Sequence, residues 1–125
     1  MAVDSQGLPH ARAATAADVS DREGAVAMFN TYLPRLSSVT KVLCDGGYAG
    51  EPFAESVASL LQAEVEIAKR NELHAFAVIP RRWVVERSFA WLDKCRRLWK
   101  NCERTAFNYL QMTSLAFIAL ILRRY

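Results

Sequence analysis

Apolar residues recur at different spacings along the chain, and the spacing predicts which segments are strands and which are helices. Three short segments have the pattern of strands: residues 10–19, 41–45 and 64–69. The second is apolar until Asp45, where two glycines follow, so we expect a buried strand that presents this carboxylate at its carboxyl end. Residues 71–77 predict a loop.

Helical spacing marks four further segments, residues 20–36, 51–61, 81–104 and 105–124. The first opens at Ser20, where Glu23 three residues later completes a capping box. Pro80 is well placed just before the third. Strands and helices therefore alternate before two closing helices, which predicts an α/β architecture with few strands, as in an incomplete fold.

Length and composition indicate one ordinary globular domain. The chain has 125 residues, 52% hydrophobic and 23% charged, enough for a single modest core. Residues 1–5 lack the basic and apolar regions of a signal peptide. The apolar run 115–122 is short and follows polar residues, so it predicts a buried core helix and no membrane span. We expect a cytoplasmic protein.

The cysteines and histidines give no sign of a metal site or a nucleophile. Cys44, Cys95 and Cys102 are odd in number and lack CxxC spacing, which favours reduced, buried thiols in the cytosol. His10 and His74 are isolated in the sequence. Since no histidine is placed to activate a cysteine, nucleophilic catalysis is unsupported.

Positive charge is concentrated in one part of the chain. The net charge is only +3, yet residues 81–104 contain eight basic and three acidic side chains. The basic ones are Arg81, Arg82, Arg87, Lys94, Arg96, Arg97, Lys100 and Arg104. They form either a solvated basic face or a surface that binds phosphate.

Asp45 and Glu86 are the acidic residues best placed for chemistry. Ligand sites of open α/β sheets lie at the carboxyl ends of strands, where Asp45 is expected, although this residue taken alone favours a plain turn aspartate. Glu86 lies among basic and aromatic residues. It could form an ordinary ion pair with Arg82, which would stabilise the helix by a few tenths of a kcal/mol. Alternatively, the helix presents Glu86 and Arg82 together on a functional surface. Phe89 is expected in the core, and the tryptophans are left open.

Together these residues resemble the DDE transposases of bacterial insertion sequences, in the group named after insertion sequence five. The matching segments are VDSQGLP (3–9) with TAADVSDR (15–22), LCDGGY (43–48), and PRRWVVERSFAWL (80–92) with RRL (96–98). The last is the most specific. The resemblance implies a ribonuclease-H-like fold, a mixed sheet flanked by helices, which would be incomplete here and end in two C-terminal helices.

The resemblance also implies a metal site and a DNA surface. Two aspartates and a glutamate of this family bind two Mg²⁺ or Mn²⁺ ions, and Asp45 matches the second aspartate and Glu86 the glutamate. The residues implied in DNA binding are Arg82, Arg87, Lys94, Arg96, Arg97 and Lys100. In the family signature of Tyr, Arg, Glu and Lys, Arg82 matches, but Ile79 replaces the tyrosine and Asp93 the lysine.

The first catalytic aspartate of the family would precede Met1, so we expect residues 1–125 to be one domain, truncated at its N-terminal side. Two carboxylates balance four units of metal charge poorly, which predicts weak or no strand transfer and a two-metal site only in the complete domain. Asp4 is a less favoured substitute. Expected partners are transposon-end and target DNA, and a second copy or a complementing N-terminal fragment. The alternative is a non-catalytic DNA-binding or oligomerisation module using residues 81–104.

Overall fold

A computed structural model describes residues 1–68, 82–100 and 102–124. The elements in chain order are β1 (Ala2–Val3), β2 (Pro9–Ala11), α1 (Asp21–Thr31), β3 (Lys41–Cys44), α2 (Glu51–Leu61), β4 (Glu64–Ile67), α3 (Arg82–Asp93), α4 (Arg96–Trp99) and α5 (Ala106–Arg124). Short 3-10 helices follow α1 and β3, at Leu33–Arg35 and Gly46–Tyr48. This mixture agrees with the predicted α/β class, whereas the loop expected at 71–77 and Pro80 lie outside the described residues.

The strands form two separate pairs within the described part of the chain. β1 and β2 are antiparallel, with Ala2 opposite Ala11. β3 and β4 are parallel, in register from Lys41 opposite Glu64 to Cys44 opposite Ile67. Helix α2 connects the second pair, since parallel neighbours need a crossover. The described residues thus contain two small sheets instead of one mixed sheet.

One hydrophobic core joins both strand pairs to α1 and α2. Its buried members are Ala11, Met28, Phe29, Leu36, Phe53, Val57, Leu61 and Ala63. Val42 and Val65 of the parallel pair pack against it. Burying a side chain of the size of Phe53 contributes roughly 1.5–3 kcal/mol, so these contacts hold the first half of the chain together.

The start of α1 agrees with the sequence prediction, whereas the end of α1 and the end of the first predicted strand do not. Ser20 Oγ accepts a hydrogen bond from Glu23 N and the Glu23 carboxylate accepts one from Ser20 N, which confirms the capping box. The helix ends at Thr31 instead of Leu36, because Pro34 has no N–H and its ring crowds the preceding turn. The strand expected over 10–19 stops at Ala11, because the alanine-rich segment after it has low strand propensity.

Two predicted degrees of burial are wrong. In β3, Val42 and Cys44 are half-buried while Lys41 and Leu43 are exposed, as in a strand covered on one face. In α5, Thr113 and Phe117 are buried, but Leu122 is 76% exposed. This helix is therefore not the buried core helix that its apolar run predicts.

Residues 106–123 are long and apolar enough to cross a membrane by length and composition alone. The core helix of a soluble protein passes the same test but is mostly buried, whereas only 11% of this stretch is buried. Helix α5 packs against α3 and α4. The predicted single helix over 81–104 is divided into α3 and α4 near Cys95, whose backbone is extended (φ −84°, ψ 105°). No glycine or proline marks that break in the sequence.

Candidate active site

Asp45 lies where the sequence predicts it, directly after the last residue of β3. Its Oδ1 accepts a hydrogen bond from Gly47 N at 3.0 Å and so caps the 3-10 helix Gly46–Tyr48. A side chain at position 47 would place its Cβ 3.1 Å from that oxygen, which favours glycine there. The Arg22 guanidinium donates to Gly47 O at 3.0 Å and ties the turn to α1. One oxygen of the Asp45 carboxylate thus stabilises this turn, and the side chain is exposed to solvent.

Glu86 lies in the first half of α3, and its side chain is exposed. The backbone of Arg82 begins the same helix four residues earlier, but the Arg82 side chain lies outside the described part of the structure. The predicted pairing of these two residues therefore stays a prediction. Asp45 and Glu86 come from different elements, the carboxyl end of a strand and the face of a helix.

The chemistry of both carboxylates suits a divalent cation, because Mg²⁺ and Mn²⁺ prefer oxygen ligands. Both side chains are accessible to an ion from solvent. Their number does not suit a complete centre: among the residues that the structure describes, no three His, Cys, Asp or Glu side chains group together to hold a metal ion. The two residues fit as ligands of a metal centre that needs further ligands.

Asp4, the less favoured substitute for a missing ligand, is engaged in its own turn. Its Oδ1 accepts hydrogen bonds from Gln6 N at 2.8 Å and Leu8 N at 3.0 Å, and its Oδ2 lies 3.2 Å from His10 Nε2. Burial raises the pKa of Asp4, but the hydrogen bonds from Leu8, His10 and Gln6 outweigh it and leave the pKa lowered. The carboxylate stabilises the turn between β1 and β2.

That turn, residues 4–8, is bonded to α3, a contact that the sequence analysis missed. Ser88, which has no exposed surface, donates from Oγ to Gly7 O at 2.7 Å. Arg87 donates from Nη2 to Gln6 O at 2.8 Å. The bonded residues are 81 positions apart, so no local pattern reports them; the glycine within an Asp-to-Leu turn is the sole signal, and it is a weak one.

Arg87 packs between two tryptophans along one side of α3. Its guanidinium carbon lies 4.4 Å from the ring centre of Trp83 and 5.0 Å from that of Trp91. Cation–π contacts of this kind contribute about 0.5–2 kcal/mol each. Its Nε is buried without a hydrogen-bond partner. The contacts of this guanidinium are internal, and its predicted binding to DNA remains untested.

The other predicted DNA-binding side chains lie together at and beside α4. Lys94, Arg96, Arg97 and Lys100 are exposed. Arg97 donates to Glu103 Oε1 at 2.9 Å, and the Glu103 side chain is 11% exposed. The prediction that Phe89 belongs to the core is wrong, since it is 49% exposed. The exposed face of α3 and α4 thus combines aromatic and basic groups.

The three cysteines are free thiols. Cys44 and Cys95 are half-buried, but Cys102 is exposed, so the prediction of buried thiols is wrong at that position. Burial, and secondly the negative charge of Asp45, raises the pKa of the Cys44 thiol to about 11. A thiol of this kind stays protonated and neutral at physiological pH, so Cys44 is a poor nucleophile.

Comparison with known proteins decides what kind of domain carries these residues. The family described as Transposase DDE domain matches residues 1–122. The chain belongs to this family. It is also 33% identical over 110 residues to the "Putative transposase for insertion sequence element IS402" of Burkholderia cepacia, which covers 82% of the chain and 52% of that relative. The transposase-domain chain thus spans about half the length of this curated relative. No solved structure matches it.

Family membership bears out the coarse prediction that the chain belongs with the DDE transposases, and the relative that it matches is described as a putative transposase of an insertion sequence element. In this transposase domain Asp45, Glu86 and the basic residues around α4 all belong to matched segments of the chain. The contact between turn 4–8 and α3 also lies within the matched residues, at the two positions that follow Glu86.

Proposed function

We propose that this chain belongs to the catalytic domain of a DDE transposase of the insertion-sequence-five type, with a ribonuclease-H-like fold. The observation that carries the proposal is an exposed aspartate at the carboxyl end of a parallel strand, in a chain that belongs to the Transposase DDE domain family. Its substrates are transposon-end and target DNA. It acts in metal-dependent phosphodiester hydrolysis and strand transfer.

Asp45 and Glu86 are the residues that would hold Mg²⁺ or Mn²⁺. When bound, the metal supplies Lewis-acid activation of the attacking oxygen and stabilisation of the leaving one. Asp45 is fixed in orientation because its Oδ1 is bonded to Gly47 N. Glu86 projects from a helix whose neighbouring residues are bonded to turn 4–8. The backbone near each carboxylate is thus bonded to another part of the chain, the turn after Asp45 to α1 and the helix of Glu86 to turn 4–8.

The basic residues at α4 would hold the phosphate backbone of DNA. Lys94, Arg96 and Lys100 are exposed, and Arg97 is bonded to Glu103 while its side chain stays 66% exposed. Contacts of this kind position a duplex without reading its sequence, and their affinity falls with rising salt. Arg82 and Arg87 extend the same basic segment toward Glu86.

We infer weak activity for the chain alone. Two carboxylates leave half of the charge of two divalent ions unbalanced, and the described residues add no third ligand. A partner chain would supply it. The alternative function is a non-catalytic module for DNA binding or oligomerisation, which is favoured by the exposed apolar side chains of α5, including Leu115, Ile118 and Leu122.

Titration of the protein with Mn²⁺ separates these two functions. We expect Asp45→Asn and Glu86→Gln each to weaken Mn²⁺ binding about 10–100-fold, at least as much as the loss of a supporting residue around a metal site. Asp18→Asn and Glu55→Gln remove exposed carboxylates elsewhere and are the matched controls. Calorimetry gives the affinity. Equal affinity in the wild type and in both site variants would favour the non-catalytic module.

A further inference from the structure

Turn 4–8 makes its two bonds to α3 at the residues that follow Glu86. Ser88 Oγ lies 2.7 Å from Gly7 O, and Arg87 Nη2 lies 2.8 Å from Gln6 O. Successive residues of an α-helix are rotated by about 100°. Bonds at two successive positions therefore fix both the rotation of α3 about its axis and its position along that axis.

The approach between the turn and α3 is so close that it requires a glycine. Gly7 has φ +84°, in the left-handed region where side chains are strained. A Cβ at this position would lie 2.8 Å from Ser88 Oγ and 3.3 Å from the Trp91 ring. The backbone of the turn thus packs directly on the helix, without an intervening side chain.

The turn is itself stabilised before it meets the helix. Asp4 accepts hydrogen bonds from Gln6 N and Leu8 N, while Gly7 N donates to Asp4 O at 3.0 Å. These bonds hold the peptide units whose carbonyls, of Gln6 and Gly7, accept from α3. Asp4 therefore acts on the helix through the turn.

On the helix side, Arg87 is held by two aromatic rings. Its guanidinium carbon lies over the rings of Trp83 and Trp91, one turn before and one turn after it. A planar guanidinium held in this way keeps a fixed direction for its N–H groups. Its bond to Gln6 O is consequently a rigid link and not the flexible contact of a surface arginine.

We propose that turn 4–8, with Arg87 and Ser88, is a device that positions Glu86 for the metal. The inference rests on the function proposed above, in which Glu86 is a ligand. A ligand has to be held within about 0.5 Å of its productive position, and the placement of α3 contributes to that precision for Glu86. Gly7, Arg87 and Ser88 are positioning residues, and Asp4 supports them.

The test compares two serines that differ in one respect. The Ser88 hydroxyl lies 3.0 Å from Val84 O and the Ser114 hydroxyl lies 2.9 Å from Leu110 O, each within its own helix. Ser88 alone of the two also bonds to the turn. Ser88→Ala therefore removes the link, while Ser114→Ala is the matched control for loss of a helical hydroxyl.

Mn²⁺ binding to the full chain is followed by electron paramagnetic resonance, which reports the affinity and the symmetry of the ligand set. We expect Ser88→Ala to weaken binding about tenfold and to change the spectrum of bound Mn²⁺, as residues that orient metal ligands do. Ser114→Ala should match the wild type in both. A thermal midpoint measured for each variant identifies any unfolding.

The outcomes separate this inference from the proposed function. Wild-type affinity in Ser88→Ala, with weak binding in Glu86→Gln, overturns the positioning role and leaves the function standing. Equal weakening in Ser88→Ala and Ser114→Ala also overturns it, because the effect then follows helix destabilisation. Equal affinity in the wild type and Glu86→Gln overturns the function and this inference with it.

A second variant covers the case in which Ser88→Ala does not fold. Arg87→Met loses the bond to Gln6 O but keeps an unbranched stem between Trp83 and Trp91. The same tenfold loss is expected, and Arg35→Met, which removes an exposed guanidinium near Tyr32, is its control. An Arg87→Met protein that binds Mn²⁺ like the wild type contradicts the inference.

Discussion

The N-terminal region, residues 1–68, and the C-terminal region, residues 82–124, bury their apolar side chains to different extents. The hydrophobic core cluster lies wholly in the first region. In the second, the described buried hydrophobic residues are Val84, Leu92 and Phe117, joined by Ser88 and Thr113. Trp83, Phe89 and Leu115 are each about half exposed there. The first region covers its apolar surface, while the second presents such surface alongside its basic residues.

This difference matters because each region holds one carboxylate of the proposed metal site. Asp45 stands on the well-packed region, and Glu86 on the sparsely packed one. The turn between β1 and β2 is bonded to α3 and so connects the two. Glu86 therefore depends on this connection more than Asp45 does. Three measurements on the folded chain test this difference between the regions.

The largest expected effect comes from two phenylalanines, one in each region. Phe53 is 4% exposed and Phe89 is 49% exposed. Phe53→Ala should lower the free energy of unfolding by about 3–5 kcal/mol, because it leaves a cavity in the core. Phe89→Ala should change it by no more than about 0.5 kcal/mol, as exposed substitutions do. Urea denaturation measures both, and similar losses would contradict the contrast between the regions.

The next effect concerns two glycines in turns. Gly7→Ala combines a positive φ with a Cβ 2.8 Å from Ser88 Oγ, so we expect a loss of about 1–3 kcal/mol in the free energy of unfolding. At Gly46 an added Cβ would meet nothing within 4 Å, which makes Gly46→Ala the control.

Denaturation followed by tryptophan fluorescence also reports the environment of the three tryptophans, of which Trp83 and Trp91 contact Arg87 beside the turn. A shifted emission in Gly7→Ala, with an unchanged one in Gly46→Ala, would show that the change at the turn reaches the helices that carry the tryptophans. If both variants behave like the wild type, the turn does not connect the regions in the way described.

Local signals in the sequence predict the well-packed region better than the other. Ser20 and Glu23 predict the start of α1, and the run that ends at Asp45 predicts β3 and the place of its carboxylate. These features depend on residues a few positions apart. The exposure of Phe89 and the bond from Ser88 to Gly7 depend on what lies next to α3 in space. Since the bonded residues are 81 positions apart, no spacing in the sequence reports them.

The smallest expected effect is the pH dependence of the free energy of unfolding that comes from Asp4 in turn 4–8. Burial raises the pKa of Asp4, but hydrogen bonds from Leu8, His10 and Gln6 lower it by more, so the folded pKa lies below its ordinary value of 3.8. A carboxyl group with a lowered folded pKa stabilises the fold above its unfolded pKa, and this stabilisation is lost as the pH falls through the folded value. Asp4→Asn should therefore be less stable than the wild type at pH 7, and the difference should shrink below about pH 4.

Urea denaturation at a series of pH values measures this difference directly. Asp18→Asn, which removes an exposed carboxylate from the loop before α1, controls for the change in net charge. If the stability difference between the wild type and Asp4→Asn stays constant from pH 7 to pH 3, the Asp4 carboxylate does not hold the turn through its charge. In that case the backbone of the turn, with Gly7 at its contact with α3, makes the connection on which Glu86 depends.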